Sequence, residues 1–301
     1  MLEWLVFAFL SSSGGDLMSA DEFVLPKIEI LQPAKIPRKN VTKVAPKLLN
    51  NSKSAILAID MGTGKILVSK RENRSQEIAS LTKIMTSLII LENHDLEEIV
   101  VFPLEATKVI GAKAEFYEYE KLTIKTLLES ALIPSANDAA VALAIFHAGS
   151  EEKFVEEMNE KAQSLGLNSA KFYNSTGLDY YDEKGDKWIG NKMSARDLAT
   201  LSKLSLRNKF FRKTVNKRVF SGISADGQFI HEKSSTNQLF GTFLNLKGIK
   251  TGYTELAGQC FISLGETDDG NEVMTIVLGS PDRFGETKNL LSWIYDSFVW
   301  E

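Results

Sequence analysis

Apolar residues follow strand-like patterns near both ends of the chain. Residues 55–59 form a continuous apolar run, and the glycine-containing turn 62–64 separates them from a second strand over 65–70, which predicts a β-hairpin. Strand patterns return late in the chain, and the polar turn 267–271 joins the last two of them. These later strands are predicted around Phe229 and over 246–251, 260–264 and 273–278.

Helical spacing dominates the region between these two groups of strands. A helix is predicted to begin at Ser80, because Ile84, Leu88 and Leu91 fall on one side of it. A final amphipathic helix over 286–299 turns Leu290, Leu291, Ile294 and Phe298 inward. Further helices are predicted over 123–132, 137–147, 151–165 and 195–206.

Strands at both ends that enclose a helical middle predict one antiparallel sheet assembled from distant segments. We therefore expect one α+β unit over residues 52–301, with a helical lobe inserted at about residues 100–205. A cleft between the sheet and this lobe is the natural place for a binding site.

The first 51 residues have a different character. Residues 4–10 are apolar, but a membrane-spanning helix needs about 20 such residues. Residues 1–20 are therefore either the remnant of an export signal or an unstructured start, and Glu3 stands where a signal carries a basic residue. Prolines and lysines are interleaved over 21–51, which predicts an extended arm. Membrane contact is expected only through this N-terminus.

Composition narrows the classes of function. The chain of 301 residues has 35 basic and 39 acidic side chains, a net charge of −4, and no polybasic run, so no nucleic-acid partner is expected. Cys260 is the single cysteine and the three histidines are scattered, so the sequence predicts neither a metal site nor a Ser-His-Asp triad. We expect no cofactor.

A Ser-x-x-Lys pattern, Ser80 to Lys83, begins the predicted helix. Residues three apart share a helix face, so Lys83 can reach the Ser80 hydroxyl. The lysine could act as a base only if burial lowered its pKa from about 10.4 to about 7 or 8. The pattern also occurs at Ser150 to Lys153, where Ser150 has the sequence context of a helix N-cap. From the pattern alone, Ser80 could equally be a helix cap.

Two further motifs could carry chemistry, and each has a structural alternative. Ser135-Ala136-Asn137 follows Pro134 at the mouth of a small-residue helix, where Ser135 could instead cap the helix together with Asp138. Lys250-Thr251-Gly252 lies on a predicted strand, where Gly252 leaves space for a substrate backbone. The alternative is a lysine at the end of a strand.

The order of the three motifs resembles that of class A β-lactamases and penicillin-binding proteins. The surrounding segments, 78–86, 132–140 and 248–254, resemble the D-alanyl-D-alanine carboxypeptidases, and the similarity covers about residues 52–299. This resemblance implies the transpeptidase-like α/β sandwich of that superfamily, with a five-stranded antiparallel sheet flanked by helices. It also implies an exported enzyme of the cell envelope that β-lactam antibiotics acylate.

The resemblance further implies a serine carboxypeptidase that removes the terminal D-alanine from peptidoglycan stem peptides ending in D-Ala-D-Ala. Ser80 would be the nucleophile, Lys83 its base and Ser135 the proton relay to the leaving amine, while Asn137 would orient the substrate amide and Lys83. The backbone N–H groups of Ser80 and Tyr253 would hold the oxyanion. Lys250, Thr251 and Gly252 would bind the end of the substrate.

Arg283 is a candidate for a second contact with the substrate carboxylate, and a surface arginine is the alternative. Asn174 to Leu178 lacks the proline of the matching family stretch, and a polar segment over 182–192 that contains Trp188 puts substrate preference in doubt. The family's C-terminal domain is not expected after Glu301.

Three other functions remain open. A DD-endopeptidase on cross-linked peptidoglycan is one. A serine β-lactamase is another, although no Glu-x-x-Leu-Asn element lies between Ser150 and Asn191. A non-catalytic peptidoglycan-binding relative is the third.

Overall fold

A five-stranded antiparallel sheet in the order β12-β13-β14-β2-β3 organises the computed structural model, which describes residues 35–39, 54–242 and 244–301. The strands are β1 (Pro37–Lys39), β2 (Ala55–Asp60), β3 (Ile66–Lys70), β4 (Gln76–Glu77), β5 (Ile99–Val101), β6 (Lys121–Thr123), β7 (Tyr180–Asp182), β8 (Lys187–Ile189), β9 (Lys192–Met193), β10 (Val219–Ile223), β11 (Ile230–Ser234), β12 (Leu246–Thr254), β13 (Gly258–Glu266), β14 (Glu272–Ser280) and β15 (Phe298–Trp300). The strand pairs of the sheet come from both ends of the chain, as predicted.

Helices connect and cover these strands. They are α1 (Lys83–Asn93), α2 (Leu104–Thr107), α3 (Ile124–Leu132), α4 (Asn137–Ala148), α5 (Glu151–Ser164), α6 (Ala195–Ser205), α7 (Lys209–Val215) and α8 (Arg283–Ser297), and a 3₁₀ turn (Ala79–Thr82) precedes α1. None of the helices within the described ranges has the length and apolar character that crossing a bilayer requires.

Strand β2 shows why this sheet is buried on both faces. Ala55 and Ile59 belong to a core shared with Ile84 of α1, whereas Ile56 belongs to a second core shared with Ile294 of α8. Successive side chains of a strand point to opposite faces, so a continuous apolar run needs a cover on each side. The helical lobe covers one face and α8 covers the other.

The predicted helices are confirmed with bounds that shift by a few residues. Ser80 lies in the 3₁₀ turn and not in the α-helix, which begins at Lys83. The last helix begins at Arg283 and ends at Ser297, so Phe298 lies in strand β15 instead. Phe298 is nevertheless buried, as predicted.

Most strands of the two-stranded sheets are not indicated by the sequence pattern, and only β11 among them is predicted, as the strand around Phe229, which lies directly before it. Strands β5 and β6, β7 and β8, and β10 and β11 form separate two-stranded sheets. The segment over 182–192, interpreted as a polar loop, is mostly the β7–β8 hairpin followed by β9. The β7–β8 hairpin has no buried residue and so lacks the apolar face that makes a strand recognisable.

The N-terminal expectations fall largely outside the described residues. Residues 1–20 lie outside them entirely, as do 21–34 and 40–51 of the predicted arm. Within the arm, β1 pairs antiparallel with β15, so that Pro37 lies opposite Trp300. The Trp300 indole N–H donates to Asp60 Oδ1 over 2.8 Å.

Candidate active site

Three polar side chains from two helical segments converge at the start of α1. Lys83 Nζ lies 3.0 Å from Ser80 Oγ, 2.7 Å from Asn137 Oδ1 and 2.8 Å from the carbonyl oxygen of Thr176. The 3₁₀ turn places Ser80 one turn before Lys83, and Asn137 is the first residue of α4. The two motifs that the sequence left separate are therefore in direct contact.

Lys83 is fully buried, and burial lowers the pKa of its amine to about 7 against the opposing effect of Asp138. A neutral amine has two N–H donors and one lone pair. The carbonyl-type oxygens of Asn137 and Thr176 can only accept, so they take both donors. The lone pair then faces Ser80 Oγ, whose hydroxyl can donate to it. This geometry suits removal of the hydroxyl proton by Lys83.

Two glycines hold the turn that carries Ser80 between neighbouring backbones. A Cβ atom on Gly177 would lie 1.9 Å from the carbonyl oxygen of Ala79, and one on Gly252 would lie 3.0 Å from the Ser80 nitrogen. Gly177 also has a positive φ of 87°. Because glycine has no Cβ, the backbone at residue 177 and strand β12 can both lie directly against the nucleophile turn.

We expect Gly177→Ala to lower kcat/KM for any substrate attacked by Ser80 by at least about 100-fold. The added methyl group meets backbone atoms, so the turn must move, and displacements of about 1 Å have effects of this size. Gly166→Ala is the matched control, because Gly166 has a φ of 70° but no neighbouring atom within 4 Å of the place that an added methyl group would occupy. Steady-state kinetics on both variants check this, and equal effects would contradict it.

Ser135 stands in a strained backbone at the entrance to α4. Its φ is 69°, and the residue is buried. The capping alternative is wrong for Ser135, because the N-cap of α4 is Ala136 and no side chain caps the helix there. Asp138 instead accepts hydrogen bonds from the backbone N–H groups of Ala114 and Glu115. Among the described residues the Ser135 hydroxyl has no hydrogen-bond partner, so it is available to a substrate.

The interpretation of Ser80 as a helix cap is wrong as well. Thr82 is the N-cap residue of α1 and Ile78 that of the 3₁₀ turn, and neither cap involves a side-chain hydrogen bond. Ser150, by contrast, caps α5 by accepting from the Lys153 N–H. The same tetrad thus has a structural role at residue 150 and a different environment at residue 80.

Strand β12 is an edge strand of the sheet and forms the other side of the site. Lys250 and Thr251 are buried, and Thr251 Oγ1 lies 2.5 Å from Thr236 Oγ1. Burial lowers the pKa of Lys250 well below its usual value of 10.5, and the nearby Lys83 and Arg283 lower it further. A carboxylate bound beside Lys250 would favour the charged form of its amine.

Arg283 is the first residue of α8, and its guanidinium packs against β12. Nη1 donates to the carbonyl oxygen of Gly252 over 2.7 Å, whereas the buried Nε has no partner among the described residues. The surface alternative is therefore wrong. The side chain is half-buried, and burial lowers its pKa. Arg283 braces the strand that carries Lys250 and Thr251.

Sequence reasoning missed three contributors to this site. The Thr176 carbonyl acts through the backbone, so its side chain gives no signal. Thr236 reaches Thr251 only because the chain returns to β12, and nothing local marks it. Asn174 was noted only for the missing proline beside it, yet its Oδ1 accepts from the N–H groups of Thr176 and Gly177 and shapes the loop that contacts Lys83.

The remaining histidines and the cysteine lie elsewhere. His94 and His147 contact each other and two glutamates, and His231 pairs with Glu120. Cys260 is buried, which raises its pKa to about 11. The part of the chain that the structure describes contains no cluster of three or more acidic, histidine or cysteine side chains arranged to hold a metal ion.

Comparison with known proteins identifies the family. A model of the D-alanyl-D-alanine carboxypeptidases, peptidase family S11, matches residues 40–282. The chain belongs to this family. It is 34% identical over 272 residues to the D-alanyl-D-alanine carboxypeptidase DacF of Bacillus subtilis, a match that covers 85% of this chain and 65% of that relative. It is also 27% identical to the D-alanyl-D-alanine endopeptidase of Escherichia coli, covering 79% of this chain and 76% of that one.

Solved structures confirm the predicted fold of this family member. The Streptomyces K15 DD-transpeptidase superposes with a TM-score of 0.73 at 25% identity, covering 85% of this chain and 100% of that one. A D-alanyl-D-alanine carboxypeptidase of Mycobacterium tuberculosis H37Rv gives 0.74 at 22% identity, covering 88% of this chain and 99% of that one. The chain thus has the transpeptidase-like fold and spans somewhat less than two thirds of the length of DacF.

Proposed function

We propose that this protein is a serine carboxypeptidase that removes the terminal D-alanine from peptidoglycan stem peptides through an acyl-enzyme. One observation carries the proposal: the buried Lys83 amine faces Ser80 Oγ at 3.0 Å, while two carbonyl-type oxygens occupy its N–H donors. A serine next to an amine of lowered pKa is an activated nucleophile.

In the acylation step, Ser80 Oγ attacks the carbonyl carbon between the two D-alanines, and its proton passes to Lys83. The tetrahedral intermediate then loses the terminal D-alanine as its amine, which takes a proton delivered through Ser135. Water attacks the ester that remains, releases the shortened peptide and restores the Ser80 hydroxyl. The proton that Ser80 loses leaves on the amine of D-alanine, and one proton of the attacking water replaces it on Ser80, while the hydroxyl of that water becomes part of the new carboxyl group. These steps therefore need no cofactor.

The oxyanion is assigned to the backbone N–H groups of Ser80 and Tyr253. Tyr253 lies on β12, whose outer edge is not paired with another strand of the sheet, and Gly252 adjoins the Ser80 nitrogen. Unpaired edge groups are available to a substrate. Each donor to such an oxyanion contributes roughly 3 kcal/mol to stabilisation of the transition state in serine hydrolases.

The terminal carboxylate of the substrate is assigned to Lys250 and Thr251. Both side chains are buried on β12, and burial, together with the neighbouring Lys83 and Arg283, lowers the pKa of Lys250. Arg283 adds positive charge and positions β12, and Asn137 orients Lys83 and the substrate amide. A free carboxylate end distinguishes the preferred substrate from an internal peptide bond.

The proposed cellular location follows from the location of the substrate. Peptidoglycan lies outside the cytoplasmic membrane, so we assign the protein to the cell envelope, with residues 52–301 as its catalytic unit. β-Lactam antibiotics, whose strained amide resembles the scissile bond, are the proposed covalent inhibitors at Ser80.

A second activity, cleavage of cross-links between stem peptides, is favoured by one relative. The Escherichia coli protein named as an endopeptidase matches this chain over 76% of its own length, more than the 65% of DacF. A cross-link contains the same type of bond, but a second stem peptide takes the place of the terminal D-alanine.

Incubation with two substrates and mass analysis of the products separates these activities. With a monomeric pentapeptide we expect loss of one D-alanine, and with a cross-linked dimer we expect little or no monomer. Products that are mainly monomers from the dimer would favour the endopeptidase. Hydrolysis of neither substrate, in protein whose circular dichroism shows a folded chain, would contradict both proposals.

A further inference from the structure

The β7–β8 hairpin presents an exposed aromatic pair beside the cleft. Tyr181 and Trp188 lie opposite each other in the hairpin register, with ring centroids 5.6 Å apart at an angle of 64°. Their exposed fractions are 44% and 58%. Neither ring is needed to fill a core, since β7 and β8 form a sheet of two strands only. Large exposed aromatic surface with a polar rim is typical of an interaction site.

The root of this hairpin is fixed to both sides of the candidate active site. Gly177, which lies just before the hairpin, abuts the turn that carries Ser80. Asp179 accepts from Thr254 Oγ1 over 2.9 Å and from the Leu256 N–H over 3.0 Å. The hairpin therefore projects from the place where the end of β12 meets the nucleophile turn.

The direction of the substrate points to the same place. Under the proposed function, the terminal carboxylate binds at Lys250 and Thr251, and the scissile carbonyl binds at Tyr253. Residues on the amino side of the scissile bond must then continue toward Thr254 and Leu256, where Asp179 holds the hairpin. The amino end of the stem peptide leaves the site along the β7–β8 hairpin.

The length of the hairpin strand that leads to Tyr181 matches the length of the stem peptide. Tyr181 follows Gly177 by four residues, which places it within about 13 Å at roughly 3.3 Å per extended residue. A pentapeptide has four residues before its scissile bond, which span about the same length. The group attached to the amino end of the stem is the sugar of the glycan strand.

Charge around the aromatic pair favours an uncharged ligand. The turn of the hairpin carries both signs in similar number, so it has no strong field for an anion or a cation. These residues are Asp182, Glu183, Lys184, Asp186 and Lys187. Tyr181 donates its hydroxyl proton to Asp186, and both rings of the pair keep exposed surface. An N-acetylated sugar offers C–H groups to the rings and hydroxyl and amide groups to this polar rim.

We propose that Tyr181 and Trp188 form a binding site for the amino sugar that carries the stem peptide, so that the enzyme prefers glycan-attached stems over free peptide. This inference rests on the proposed function for the direction of the substrate. It assigns a role in substrate selection to the Trp188 segment that distinguishes this sequence from the family pattern.

The test compares kcat/KM for a free pentapeptide and for the same pentapeptide on its disaccharide. We expect the wild-type protein to prefer the disaccharide form, and Trp188→Leu to lose about tenfold on that form alone. Leucine keeps an apolar contact with Tyr181 in the hairpin but has no flat ring. Trp188→Phe should restore most of the preference, which a merely structural role would not predict.

Tyr119→Ala is the control for loss of an exposed ring. Tyr119 is 73% exposed and precedes β6, and its removal should change neither rate. An equal loss on both substrates in Trp188→Leu, or no loss on either, would overturn the sugar site. A loss confined to cross-linked, sugar-free dimer would also overturn it, in favour of a second stem peptide.

A binding measurement separates this inference from the catalytic proposal. In Ser80→Ala protein, calorimetry should give a lower Kd for the disaccharide pentapeptide than for the free pentapeptide, and Trp188→Leu should remove the difference. If the wild-type protein hydrolyses neither substrate but this difference persists, the sugar site stands and the proposed function fails. Equal Kd values with normal hydrolysis would refute the sugar site and leave the proposed function standing.

Discussion

Ser80→Ala is expected to lower kcat for release of D-alanine by about 10⁶-fold and to abolish covalent attachment of labelled penicillin. The loss is this large because removal of a serine nucleophile disables the whole catalytic group and not one contact. Ser80 is only half-buried, and its Oγ contacts Lys83, so the substitution leaves the core intact. D-Alanine release and a gel assay for the penicilloyl adduct check both effects.

Ser150→Ala is the matched control, since Ser150 begins the second Ser-x-x-Lys tetrad of the chain. Loss of its cap on α5 should lower the free energy of unfolding by about 1 kcal/mol and leave both activities unchanged. Covalent labelling of Ser80→Ala protein at the wild-type rate would refute the assignment of the nucleophile.

Lys83→Met is expected to lower the rate of acylation by about 10²- to 10⁴-fold, the usual contribution of a general base. In the wild-type protein the neutral amine is the active form, and burial lowers its pKa to about 7. Acylation should therefore accelerate as the pH rises through about 7 and fall about tenfold per unit below it. Stopped-flow acylation by a chromogenic β-lactam measures this profile.

The same pKa has a consequence for stability whose sign is fixed by proton binding. Between about pH 7 and pH 10.5 the unfolded chain holds a proton on Lys83 that the folded protein has lost. Lys83 should thus make the free energy of unfolding rise with pH across this window, and Lys83→Met should reduce that rise, while Lys250, whose pKa is also lowered, keeps its own contribution. Lys153→Met, in the control tetrad, should alter neither profile. A wild-type acylation rate that stays constant from about pH 6 to about pH 10 would contradict the lysine base.

Much of the fold could be predicted because its sheet is buried on both faces. Runs such as 55–59 are apolar without interruption, and α8 shows the helical spacing of a surface that packs on one side. The hairpin at residues 180–189 could not be predicted in this way. Its strands expose both faces, and its stability comes from cross-strand pairs such as Tyr181 and Trp188.

The contacts of the candidate site also include some that could be predicted from sequence and others that could not. Ser80 and Lys83 could be paired from sequence because their contact is one helical turn long. The contact between Lys83 and Asn137 spans 54 residues, and the one with the Thr176 carbonyl spans 93, so only the fold brings them together. The sequence contains the motifs, whereas only the tertiary structure shows the acceptors that direct the lone pair of Lys83.

Gly177 and Gly252, which enclose the nucleophile turn, mark the part of the cleft wall that protein engineering should leave unchanged. A library that varied Gly177 or Gly252 would sample mostly inactive clones, since the neighbouring atoms are backbone atoms and the Ala79 Cβ, which cannot rotate away. The solvent-facing positions of the β7–β8 hairpin impose no such restriction. Retargeting toward other peptides or glycans should therefore randomise the hairpin and leave the turn untouched.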